Sequence, residues 1–61
     1  MNESGEKMIS IQDASKMLGI SRQTLYKLMD SGDIHFYQIA GRRKFKQKEV
    51  KEYIERQKNK Q

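Results

Sequence analysis

Two short segments with helical apolar spacing, separated by only three residues, constrain this chain more than any other feature. Gly19 follows the first segment and Ser21 precedes the second. Glycine readily takes the left-handed conformation that ends a helix, and a serine hydroxyl can accept a hydrogen bond from a backbone N–H in the first turn of the next helix. The stretch therefore predicts two helices that meet at a sharp turn.

The second of these helices is predicted to run from Arg22 to about Ser31, where Gly32 ends it. Leu25, Leu28 and Met29 repeat at helical spacing and should face a core. The other side of its first turns is rich in hydrogen-bonding groups, which come from Ser21, Arg22, Gln23, Thr24, Tyr26 and Lys27. This arrangement is typical of a helix-turn-helix whose second helix contacts DNA.

The chain is long enough for one small domain. It has 61 residues, of which 34% are hydrophobic and 34% charged, so it can bury one small core and no large enzyme cleft. His35 is the only histidine, and there are no cysteines and no carboxylate cluster at ligand spacing. The sequence therefore predicts no enzyme, no catalytic residues, no metal site and no cofactor.

The absence of cysteine is compatible with a reducing compartment. The N-terminus is polar and acidic, where a signal peptide would be basic and then apolar. The longest apolar runs, of about four residues, are far too short to cross a membrane. These features predict a cytoplasmic protein with neither a membrane nor a small-molecule substrate as partner.

Net charge predicts an anionic partner. The chain carries +5, and residues 21–46 hold six basic residues against two acidic ones. The excess therefore lies on the predicted second helix and on the segment after it. Double-stranded DNA is the partner that this distribution favours.

Two further helices complete the predicted core. The first begins at about Ile11, because Ser10 stands three residues before Asp13 in a weak capping-box pattern. Its apolar face comprises Ile11, Ala14, Ser15 and Leu18. The last helix spans about 48–58 and carries a stripe of Val50, Tyr53, Ile54 and Gln57. Residues 1–7 are predicted to be a disordered leader, 8–58 the folded domain and 59–61 a polar tail.

Between the second and last helices, the sequence predicts a β-hairpin with a basic tip. Its arms are residues 34–39 and 42–46, joined by a tight turn at Ala40 and Gly41. Tyr37, Ile39 and Phe45 are the predicted packing face. DNA contacts are expected from Gly41, Arg42, Arg43, Lys44 and Lys46, and also from Ser10 at the start of the first helix. The predicted fold is mainly α, a winged helix-turn-helix with three helices and a two-stranded wing.

Less specific interpretations exist for each feature. The polar face of the second helix could be merely solvated. The basic hairpin residues could prevent aggregation through the edge of the sheet. The alternating charges of the last helix favour a solvated face. Phe36, Tyr37 and Tyr53 could instead form a docking patch for another protein.

Several short motifs follow one another along the chain, at residues 8–11, 18–21, 24–28, 31–34 and 40–45. Together they resemble the excisionase family, whose members are small winged-helix proteins related to the DNA-binding domains of MerR-type regulators. The resemblance implies a second helix in the major groove and a wing on the adjacent backbone or minor groove. Two positions depart from the family pattern: Ser15 stands where alanine is usual and should need a hydrogen bond, and His35 stands where proline is usual.

The resemblance leaves the biological role open. An excisionase arranges DNA for a recombinase, and the expected partners are DNA, a recombinase or further copies of the chain on DNA. A small transcriptional regulator, or the DNA-binding head of a longer partition or replication protein, would share the same domain.

Overall fold

A computed structural model describes residues 7–58. Residues 1–6 of the predicted leader and the predicted tail at 59–61 lie outside the described residues. In chain order the elements are β1 (Met8–Ser10), α1 (Ile11–Leu18), α2 (Arg22–Ser31), β2 (Tyr37–Ile39), β3 (Arg42–Lys46) and α3 (Gln47–Lys58). The predicted winged helix-turn-helix, with three helices and a β-hairpin, is confirmed.

The turn between α1 and α2 is built as its sequence predicts. Gly19 has φ +70° and ends α1, and the N–H of Ile20 bonds the Ser15 carbonyl at 3.1 Å. The Ser21 hydroxyl accepts from the backbone N–H of Thr24 at 3.2 Å and so caps α2. These bonds satisfy backbone groups that would otherwise lack partners at the two helix ends.

The sheet has one strand more than the predicted hairpin. Its order is β1-β3-β2, with both pairs antiparallel, so β3 is the central strand. Ile9 lies opposite Phe45, and the N–H of Gln47 bonds the Lys7 carbonyl at 2.8 Å just beyond the ladder. The wing, defined here as β2, β3 and the turn between them, is therefore fixed along one edge to the start of α1.

The core lies between this sheet and the helices. Leu25, Phe45 and Val50 are completely buried and come from α2, β3 and α3 respectively. Ser15 is also buried, and its hydroxyl donates to the Gln12 carbonyl at 2.8 Å. The hydrogen bond expected at this position is thus present. A serine in place of alanine is accommodated without an unpaired hydroxyl.

The predicted packing face of the hairpin is only partly correct. Phe45 is buried, but Tyr37 and Ile39 pair with Lys44 and Arg42. Because neighbouring residues of a strand point to opposite faces, Tyr37 and Ile39 lie on the sheet face that Phe45 does not occupy. Ile39 is accordingly 46% exposed, and Tyr37 does not pack against the core, so the assignment of both residues to the packing face was wrong.

The first arm of the hairpin is shorter than predicted. Strand β2 begins at Tyr37, and Ile34 packs in the core instead of forming part of the strand. The backbone N–H groups of Asp33 and Ile34 both bond the Leu28 carbonyl, at 3.0 and 3.4 Å. Ile34 is therefore held against the end of α2, and its N–H is not available for pairing in the sheet.

Helix α3 closes the core with the predicted stripe. Val50 is buried, Tyr53 and Gln57 are half-buried, and Ile54 is at the edge with 36% exposed. No helix within residues 7–58 is long and apolar enough to span a bilayer.

Candidate nucleic-acid interface

A basic cleft lies between the wing, the exposed side of α2 and the start of α1. Its volume is about 610 Å³. It is lined by Ser10, Ile11, Gln12, Arg22, Tyr26, Gln38, Gly41, Arg42, Arg43 and Lys44. Four of these residues are basic, and none of the lining residues within 7–58 is acidic. The cleft is suited to an anionic ligand.

Strand β1 brings the start of α1 to the wing. Ser10 is the last residue of β1, where it pairs with Lys44, and it is also the N-cap residue of α1. Its hydroxyl accepts from the backbone N–H of Asp13 at 3.1 Å. The predicted capping role of Ser10 is confirmed, whereas its contact with DNA stays a prediction.

The tip of the wing is a two-residue turn with positive φ at both positions. Ala40 has φ +53° and Gly41 has φ +77°. Positive φ at both central residues is what a type I′ hairpin turn requires, and this turn matches the twist of the flanking strands. It places Arg42 in an exposed position directly after the turn.

The predicted residues of α2 are all exposed, but they differ in their contacts. The Arg22 guanidinium donates to the Gln12 side-chain oxygen at 3.4 Å, which connects α2 to α1. The hydroxyls of Ser21 and Thr24 lie 3.0 Å apart and share a hydrogen bond, so both serve the start of the helix. Arg22 and Tyr26 line the cleft.

Ser21 and Thr24 do not line the cleft, and neither do the other two predicted residues, Gln23 and Lys27. Both are exposed on the same helix, beside residues that do.

Arg43 points away from the outer surface of the wing and toward α2. It is half-buried, and its guanidinium carbon lies 5.4 Å from the ring centroid of Tyr26 and 5.0 Å from that of Phe36. Its Nη1 donates to the Met29 sulfur at 4.0 Å. The sequence predicted that Arg43 contacts DNA, chiefly at phosphate, and did not predict this inward contact.

Lys46, also predicted as a wing contact, does not line the cleft. Its ammonium lies 5.1 Å from the Tyr37 ring centroid, at the end of β3 that is remote from the turn. The structure therefore does not place Lys46 in the cleft with Arg42 and Lys44.

Sequence reasoning also missed three residues that line the cleft, namely Ile11, Gln12 and Gln38. Gln38 lies opposite Arg43 in the sheet, and Gln12 lies in the first turn of α1. Their positions follow from the strand register and from the pairing of β1 with β3. No motif in the sequence marks them.

The structure weakens the docking-patch alternative. Phe36 and Tyr53 are half-buried and pack against the core, and the Tyr37 hydroxyl donates to the Glu49 carboxylate at 3.0 Å. His35 is exposed, with its ring centroid 4.8 Å from that of Tyr37. Among residues 7–58 there is no group of three or more metal-ligating side chains with the geometry to hold an ion.

Comparison with known proteins assigns the family. A family model described as a helix-turn-helix domain matches residues 8–58. The chain belongs to this excisionase-like helix-turn-helix family. No curated protein and no solved structure matches the chain. The family consists of DNA-binding domains, so the basic cleft beside the second helix of the motif is the candidate surface for DNA.

Proposed function

We propose that the chain binds double-stranded DNA in a sequence-specific manner, with α2 in the major groove and the wing on the adjacent backbone. The observation that supports this function is the basic cleft, which the wing and the exposed face of α2 line together. Helix α2 has ten residues and is about 15 Å long, enough to lie across a major groove about 12 Å wide.

The residues of α2 divide into base and backbone contacts. Arg22 and Gln23 stand at its N-terminal end, from which side chains of a recognition helix reach base edges. Arginine suits the acceptors of guanine, and glutamine suits adenine. Ser21, Thr24, Tyr26 and Lys27 are assigned to the sugar-phosphate backbone, which fixes register without reading sequence.

The wing and the start of α1 supply further backbone contacts. Arg42 and Lys44 lie on the same face of β3 and line the cleft, so we assign both to phosphate. Gly41 is exposed, has no side chain and faces open space, so its backbone can approach DNA closely. Ser10, opposite Lys44 in the sheet, is assigned to the same strand of the backbone.

The proposed biological role is that of an accessory DNA-binding factor, most specifically an excisionase that arranges DNA for a recombinase. One domain of this size reads only a few base pairs. Useful affinity therefore requires several copies on repeated sites or a recombinase as partner. The alternatives are a small transcriptional regulator and the DNA-binding part of a longer partition or replication protein.

Selection from a random duplex library tests the binding function. We expect a preferred sequence to emerge, and this duplex should compete better than scrambled DNA in gel shifts at moderate salt. Equal competition by both duplexes would contradict the proposal. The genomic position of the selected sequence then separates the roles, because an excisionase predicts a recombination site and a regulator predicts a promoter.

A further inference from the structure

The inward direction of Arg43 follows from the alternation of β3. Arg42 and Lys44 share one face of the strand, and Arg43 shares the other with the buried Phe45. Arg43 is half-buried, whereas Arg42 beside it is exposed. The two arginines at the tip of the wing therefore have different environments although they are neighbours in sequence.

Three groups on the helix side surround the Arg43 guanidinium. Its central carbon lies 5.0 Å from the Phe36 ring centroid and 5.4 Å from that of Tyr26, and Nη1 contacts the Met29 sulfur. Met29 is itself a core residue. A planar guanidinium stacks on aromatic rings in a way that an ammonium does not reproduce. We therefore expect a lysine at this position to reproduce these contacts only in part.

Tyr26 gives this contact a functional consequence. It lies on the exposed face of α2, one turn after Arg22, and 41% of it remains accessible. Its ring is thus available to DNA while the Arg43 contact restricts its position. Because Arg43 belongs to the wing, the same contact fixes the separation between the wing and α2. Elements held in the binding geometry before association lose less entropy when they bind.

We infer that Arg43 is a positioning residue, which acts on DNA binding through Tyr26 and not as a phosphate contact. This inference rests on the proposed function. Arg43 also lines the cleft, but its guanidinium is engaged by the contacts described above, so the inference assigns the phosphate contacts of the wing tip to Arg42 and Lys44. It also makes recognition by α2 depend on a residue of the wing.

A double-mutant cycle on DNA binding tests the inference, with the duplex selected by the wild-type chain as probe. Arg43→Lys keeps the charge and should weaken binding by about two- to fivefold, with an unchanged salt slope. In a Tyr26→Leu background the same substitution should have little effect. Wild-type affinity of Arg43→Lys, or an equal loss in both backgrounds, would overturn the inference.

Arg56 offers a matched control. Its guanidinium carbon lies 5.7 Å from the Tyr53 ring centroid, a contact of the same kind on α3 and outside the cleft. Arg56→Lys should leave affinity for the selected duplex unchanged. A loss as large as that of Arg43→Lys would show that weakening any such contact affects binding, and would overturn the specific role of Arg43.

Measurements on the free protein separate this inference from the proposed function. In urea unfolding, the effects of Arg43→Lys and Tyr26→Leu should be non-additive, and additive effects would overturn the contact. Nuclear Overhauser effects between the Arg43 side chain and the Tyr26 ring are expected in the wild-type protein. Their absence would also overturn the contact. If no duplex is selected at all, the proposed function fails while these measurements still decide whether the contact exists.

Discussion

Ile9 lies directly opposite Phe45 in the sheet, and both side chains are buried. This pair joins β1 to the central strand, and the residue that follows Ile9 is the N-cap of α1. The pairing therefore aligns the start of the helix-turn-helix with the wing. Without it, Ser10 and Gln12 would not line the same cleft as Arg42.

Replacing Ile9 with alanine should severely destabilise the domain. Truncating a buried isoleucine costs about 2–5 kcal/mol, and a domain of this size has only a few kcal/mol of stability. Urea unfolding followed by circular dichroism measures the change. Ile39→Ala is the matched control, because that side chain is largely exposed and its truncation should change stability by less than about 0.5 kcal/mol. Similar losses at the two positions would contradict the packing described.

The cap of α2 can be tested independently of the core. Ser21→Ala should lower stability by about 1 kcal/mol, because the Thr24 N–H then loses its acceptor. Ser21→Asn keeps a side-chain oxygen at the same position and should retain most of the stability. Thermal unfolding of the two variants gives the comparison. Equal melting temperatures for them would show that the Ser21 hydroxyl is not the cap.

The wing turn offers a stabilising substitution. Ala40 has φ +53°, a conformation that costs an ordinary residue about 1–2 kcal/mol and that asparagine tolerates well. Ala40→Asn creates the Asn-Gly pair typical of this turn and should raise stability by about 0.5–1 kcal/mol. Gly41→Ala should lower stability, because alanine is strained at φ +77°. A melting temperature that falls for Ala40→Asn would contradict the turn geometry.

The sequence predicted the helices and their ends well because each end is specified locally. Gly19, Ser21 and Gly32 act within one turn of their own positions. Strand β1 escaped prediction because three residues are too few for a periodic pattern, and its partner is remote in sequence. The direction of Arg43 also depended on register, which composition and charge do not reveal.

The self-association of the free chain is a further prediction. The apolar residues are used mainly in the core, and no heptad seam extends beyond one short helix. We therefore expect a monomer in sedimentation at micromolar concentration, with additional copies joining only on DNA that carries repeated sites. A tight dimer of the free protein would contradict this expectation.

The most direct test of sequence-specific binding is a salt titration on the selected and a scrambled duplex, made with two variants. Gln23→Ala should lose about 1–3 kcal/mol of preference for the selected duplex and keep its salt slope. Arg42→Ala should weaken binding to both duplexes and lower the log–log salt slope by about 0.9, the value for one phosphate. Lys51→Ala, an exposed position on α3, is the control and should change neither quantity. If Gln23→Ala leaves the preference intact and Arg42→Ala leaves the salt slope intact, then α2 and the wing do not bind DNA as proposed.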